Sequence, residues 1–142
     1  NDNITGGAGK HTLTGGDGAD TFVYTTLTDS VLSPATDGPD RIIDLVAGTD
    51  KIDVTTVPAT ILQGAAFTAV GTGALSTDIA SALANGGGVG IAANAVAVVT
   101  ITGTGAGTYL IINDGTVGYL NTADAVINIT GVSGTLATTD FV

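Results

Sequence analysis

Large apolar residues recur every nine positions at the start of the chain, at Ile4, Leu13 and Phe22. Each is flanked by Thr, Asn or Val, and glycine-rich stretches lie between them. One buried side chain among β-favouring neighbours reads as a very short strand, with Gly-rich turns joining each strand to the next. Further on, Ile42, Ile43 and Leu45, then Ile52 and Val54, read as strands that continue and cap this core. The back half is organised differently. Ser76 or Thr77 can cap a short helix from Asp78 to Ala84, stopped by Asn85-Gly86-Gly87-Gly88. Ala95 to Thr102 is a β-rich apolar run. Thr108 to Ile112, the turn Asn113-Asp114-Gly115 and Thr116 to Leu120 predict a hairpin, and Ala125 to Gly131 predicts another strand.

The nine-residue period extends to the glycines. Gly6-Gly7-Ala8-Gly9-Lys10-His11-Thr12-Leu13-Thr14 aligns with Gly15-Gly16-Asp17-Gly18-Ala19-Asp20-Thr21-Phe22-Val23, and Asn1 to Thr5 match the last five places of the same unit. The pattern is G-G-x-G-x-D-x-U-x, with U a large apolar residue. Two such units make one coil of a flattened parallel solenoid, so alternate loops stack on the same edge and gather their Asp residues. Carboxylates about 4 Å apart repel by about 4 kcal/mol at an effective dielectric of about 20. A hard divalent cation reverses that sign, and Gly lets backbone carbonyls turn inward to complete an oxygen shell of about six to eight ligands. Calcium fits this better than magnesium, which demands a tighter octahedron. The candidate ligands are Asp2 and the facing loop of Gly15, Gly16, Asp17, Gly18 and Asp20. In the first full unit His11 stands where Asp belongs, beside Lys10, so that edge is a doubtful site. His11 reads as a surface residue of a lapsed loop, a contact with a partner, or a ligand of something else.

Composition sharpens the picture. All 13 acidic residues are Asp, and the net charge is −10. Nine of those Asp and all three cations (Lys10, Arg41 and Lys51) fall in the first 53 positions. An acidic, loop-rich front therefore precedes a nearly uncharged back. Three basic residues cannot neutralise a phosphate backbone, which argues against nucleic acid, and no apolar run reaches the length of a membrane span. The absence of Cys excludes disulfides and thiolate chemistry.

The repeat resembles the RTX family of hemolysin-type calcium-binding repeats. Ala19-Asp20-Thr21-Phe22-Val23-Tyr24, then Pro39-Asp40-Arg41-Ile42-Ile43-Asp44-Leu45 and Asp50-Lys51-Ile52-Asp53-Val54, are similar to the stretch that closes the roll in serralysin-type secreted metalloproteases. That resemblance implies that Asp40 and Asp44 ligate calcium on the last loop, while Asp50 could equally sit in a turn with a local ion pair. Tyr109 to Gly115 and Asp124 to Gly131 are similar to the C-terminal capping region of type I-secreted bacterial RTX proteins, with Asp114 and Asp124 as turn residues. The ending Asp140-Phe141-Val142 resembles the tail signal that such secretion systems read. The expected architecture is mainly β: a short parallel β-roll with its closing strands over 1–54, then an antiparallel β capping region with one short helix over 55–142, as one continuous unit.

No active site is visible. There is no H-E-x-x-H, no Glu, no Cys, a single His in a Gly loop, and no Ser in a G-x-S-x-G setting. Two functions remain, both extracellular or at a bacterial cell surface, with calcium as the only cofactor. The first is a structural module of a surface, adhesin or fibre protein that folds and assembles on calcium. The second is the calcium-binding and secretion module of a secreted hydrolase such as a serralysin-like protease. The uncharged back half, suited to packing against copies of itself, favours the first. The chain also opens in mid-repeat, which is expected to expose an edge around Ile4 that upstream repeats or a second copy, docked head to tail, would complete.

Overall fold

A computed structural model describes residues 1–32, 38–87 and 90–142. Ten strands and one helix follow in order: β1 (Asn3–Ile4), β2 (Thr12–Leu13), β3 (Thr21–Tyr24), β4 (Asp40–Ile42), β5 (Lys51–Val54), β6 (Ile61–Leu62), β7 (Thr68–Thr72), α1 (Leu75–Gly87), β8 (Val96–Thr104), β9 (Gly107–Ile112) and β10 (Ala125–Asn128). The protein is mainly β with one helix, as the pattern of apolar positions predicts.

The first five strands alternate between two sheets. β1, β3 and β5 form a three-stranded parallel sheet, with Ile4 opposite Phe22 and Phe22 opposite Ile52. β2 and β4 pair in parallel, with Leu13 opposite Ile42, but they belong to a larger seven-stranded sheet ordered β2-β4-β10-β9-β8-β6, with β7 also on β8. That sheet is mixed. β4 lies parallel to β10, β9 runs antiparallel to both β10 and β8, and β6 and β7 are parallel to β8. The capping region is therefore not the purely antiparallel layer expected, and it shares a sheet with two strands of the repeat.

Both faces of the large sheet are covered at its centre. Leu13, Ile42, Leu110, Ile112 and Ile127 meet Phe22, Ile52 and Phe141 between the two sheets. Ile111, Val126, Val99 and Ala97 meet Ile79, Ala82 and Leu83 of α1 on the other side. This explains the run Tyr109-Leu110-Ile111-Ile112: a strand buried on both faces is continuously apolar rather than alternating. It also explains why the expected hairpin does not form. β9 takes β8 and β10 as its neighbours, and no strand forms over 116–120. The Asn113 amide instead donates to the carbonyls of Ile91, Ala92 and Thr116 and closes a broad loop.

Two other expectations shift. The helix starts at Leu75 rather than Asp78 and runs through Asn85 and Gly86 to Gly87. Asp78 lies inside it, its carboxylate accepting bonds from the Thr72 N–H and hydroxyl, and so ties the helix to the end of β7. The proposed stop at Gly88 lies outside the described residues. Ile43, read as core, is 41% exposed, because strict alternation after Ile42 turns it outward. The C-terminal tail is built into the fold. Phe141 bridges Ile52 in parallel, and the N–H of Val54 donates to the Val142 carbonyl at 3.0 Å, so the tail extends the small sheet beyond β5.

Candidate metal centre

The two glycine-rich loops repeat the same backbone. Gly7 and Gly16 have φ +79° and +85°, and Gly9 and Gly18 have φ +110° and +127°, a region that L side chains rarely adopt. Each loop thus ends with its sixth residue immediately before a strand, and these sixth residues stack in columns. On one edge Asp2, Asp20 and Asp50 superpose, because Thr21 N–H bonds the Asp2 carbonyl and Lys51 N–H bonds that of Asp20. On the other edge His11 and Asp40 superpose, with Arg41 N–H on the His11 carbonyl.

Within these columns Asp20, Asp50 and Asp40 each reach back to the preceding residue of the column. Asp20 Oδ1 accepts the N–H of Asp2 at 2.7 Å, Asp50 Oδ1 accepts the N–H of Asp20 at 3.1 Å, and Asp40 Oδ1 accepts the N–H of His11 at 2.7 Å. Asp50, equally compatible with a turn on sequence, is a rung of the Asp20 column. Its signal was present, since Asp50-Lys51-Ile52 has the same D-x-U spacing as Asp20-Thr21-Phe22. It is held by this column and by the Val46 N–H, whereas its neighbour Lys51 reaches Asp140 and the Thr139 carbonyl.

The second oxygens of Asp20 and Asp40 are different. Both are buried, and neither has a hydrogen-bond partner. Each faces the first glycine of its own edge: a Cβ on Gly15 would stand 2.6 Å from Asp20 Oδ2, and one on Gly6 would stand 3.2 Å from Asp40 Oδ2. A side chain at Gly15 would collide with the Asp20 oxygen, and one at Gly6 would crowd that of Asp40. Burial pushes the Asp40 carboxyl above its ordinary value, partly offset by the His11 backbone bond and by the His11 ring, whose Nδ1 lies 3.2 Å away. The buried Tyr24 hydroxyl, itself without another partner, lies beside Asp40 and lowers the Asp40 value in the same way, so Asp40 is less in want of a partner than Asp20. Burial first, and the Asp40 charge second, push the Tyr24 pKa up. An orphaned buried carboxylate oxygen costs on the order of 1–3 kcal/mol or more, so these two positions call for a positive partner.

The other candidates separate from this pair. Asp2 lies exposed at the end of its column, within one strand spacing of Asp20. Asp17 is exposed on the loop. Asp44 is brought to the right loop, but both of its oxygens accept bonds, from Gly15 N–H at 3.0 Å and Gly16 N–H at 2.8 Å. Gly18 packs against Asn1, whose carboxamide accepts the Ala19 N–H. Among the described residues no group of three or more acidic or His side chains converges as a metal cage. Any cation at Asp20 or Asp40 would take most of its oxygens from backbone and water. Asp114 and Asp124, read as turn residues, indeed bond only backbone N–H groups.

Over residues 1–142 the sequence matches the family described as Peptidase M10 serralysin C terminal. The chain belongs to that family. No individual curated protein matches it. The match spans both halves, including the uncharged region where the sequence resemblance was loosest. Membership in the serralysin C-terminal family thus rests on the whole chain and not on the glycine repeat alone.

Proposed function

We propose that this chain is the non-catalytic, calcium-binding C-terminal module of a secreted hydrolase of the serralysin type, and that it folds outside the cell on binding calcium. The observation that carries the reading is the pair of orphaned oxygens, Asp20 Oδ2 and Asp40 Oδ2, each buried against a loop glycine. Such a carboxylate oxygen beside an open backbone suits a hard cation with oxygen ligands. Asp20 with Asp2 and the Gly15-Gly16-Asp17-Gly18 loop would hold one ion, and Asp40 with the Gly6 loop a second. Asp44 serves by fixing the Gly15–Gly16 backbone. The bound ion supplies charge neutralisation and no reaction step. Family membership supports the C-terminal module of a secreted enzyme over the surface or fibre protein. The apolar strands β8, β9 and β10, which suggested self-packing, bury their centres in the chain's own cores, while Val57, Val70, Val117, Leu120 and Val142 stay exposed. Among the described residues no helix is long and apolar enough to cross a membrane.

Calcium titration followed by circular dichroism and amide exchange tests this. Excess chelator is expected to strip protection from β1 to β5 first. Calcium at about a hundred times its Kd should add about 2.7 kcal/mol, a melting shift of about 10 °C. Identical melting with and without chelator would refute the assignment.

A further inference from the structure

His11 carries the only imidazole of the chain, and it stacks on Asp40 in its column. Its Nδ1 lies 3.2 Å from Asp40 Oδ1, which also accepts the His11 N–H at 2.7 Å. The other Asp40 oxygen, Oδ2, is buried and bare. Both Nδ1 and Oδ2 border one gap. A Cβ on Gly6 would stand 3.1 Å from His11 Nδ1 and 3.2 Å from Asp40 Oδ2. Gly7 and Gly9 need positive φ, but Gly6 does not. What glycine supplies at position 6 is therefore room beside these two atoms and not a special turn.

Calcium suits this gap less well than the Asp20 edge. It takes oxygen ligands, and its affinity follows the charge that they carry. Here there is one carboxylate, and the exposed cations Lys10 and Arg41 adjoin His11 and Asp40 along the chain. The Asp20 edge has Asp2 and Asp17 on its loops and no imidazole. Imidazole nitrogen with carboxylate oxygen is a zinc ligand set, and a bond to nitrogen offsets what the flanking cations cost. Bonds of about 2.1 Å at a tetrahedral angle set two zinc ligands about 3.4 Å apart, close to the observed Nδ1 to Oδ1 spacing. A proton bridges that spacing equally well, but it leaves Oδ2 bare. Ligating carboxylates are themselves held by hydrogen bonds, and the His11 N–H and the adjacent Tyr24 hydroxyl are placed to hold this one. We infer that the Gly6 edge binds zinc, with His11 Nδ1 and Asp40 as side-chain ligands and loop carbonyls and water completing the shell. This assignment rests on the reading of Asp40 as a cation ligand and changes which cation it takes.

Because the chain has one imidazole, nitrogen NMR of the 142-residue protein in saturating calcium reports on His11 alone. Added zinc is expected to shift Nδ1 far more than Nε2, while further calcium moves neither. His11→Gln keeps the backbone bond to Asp40 and should lose at least about tenfold in zinc affinity, with calcium-dependent melting unchanged. His11→Asp should exchange the zinc for one more calcium, counted by calorimetry. Zinc held through Nε2, zinc affinity unchanged in His11→Gln, or displacement of zinc by an equal concentration of calcium would each overturn the inference. Zinc-free melts with and without chelator test the calcium loops separately, so a failure at His11 is distinguishable from a failure at Asp20.

Discussion

Two buried carboxylates of the front half, Asp20 and Asp40, behave unlike those of the back and unlike their own neighbour Asp50, whose two oxygens are both engaged. In the back, Asp124 gives one oxygen to the Asp114 N–H and the other to the Leu120 N–H, and Asp140 likewise divides between Gly48 and Ala137. In the front, Asp20 and Asp40 each leave one oxygen buried and bare. The same residue type thus does two jobs. Saturated by backbone N–H groups, Asp is an internal staple for a loop and needs nothing further. Half-saturated beside a glycine, it is a charge waiting for a counter-ion. Burial alone does not distinguish them, since Asp20, Asp40, Asp124 and Asp140 are all nearly inaccessible to solvent. The count of satisfied oxygens does.

The largest expected effect crosses the boundary between the halves. Phe141 packs into the core shared by the two sheets and bridges Ile52, so Phe141→Ala should cost about 3–5 kcal/mol. If the two halves are one cooperative unit, thermal melts followed in β3 and in β9 will shift together. Separate transitions would show that the front folds by itself.

Next comes the contrast between the two kinds of Asp. Asp20→Asn keeps an oxygen for the Asp2 N–H but removes the buried charge. It should weaken calcium binding by at least about tenfold while leaving calcium-free stability equal or higher. Asp124→Asn should do the reverse. It turns an amide group toward a backbone donor, costs about 1–3 kcal/mol, and leaves calcium affinity unchanged. Isothermal calorimetry with denaturant melts on both variants measures the difference, and matching behaviour would erase the distinction drawn here.

The smallest effect is a pH dependence. Burial raises the Asp124 pKa, outweighing the bonds from Leu120 and Asp114 that lower it. An acid with a raised folded value contributes stability that is fully present below its unfolded pKa and is lost as pH rises through the folded one. The stability advantage of wild type over Asp124→Asn should therefore grow as pH is lowered from neutral towards the ordinary Asp range. A difference that stays flat with pH would remove Asp124 as a titrating group.

How much of this was legible beforehand depends on the range of the interactions. Ile4, Leu13 and Phe22 at a nine-residue spacing, with glycines at fixed offsets, determine local strands and turns, because each unit's backbone needs are met inside the unit. That is why the stacking of Asp2 on Asp20 could be anticipated. The partners that complete those columns were harder to see. Asp40 and Asp50 lie 29 and 30 residues beyond the backbone groups they cap, past a loop that breaks the period. The back half hid its topology for another reason. Asn113-Asp114-Gly115 is a good hairpin turn locally, yet β9 gains more by lying between β8 and β10, buried on both faces. Likewise no pattern in the chain announces that Thr12, Arg41, Asn128 and Tyr109 share a row. Strand pairing over long sequence separations decides that, because a side chain's neighbours across a sheet are set by register and not by proximity along the chain.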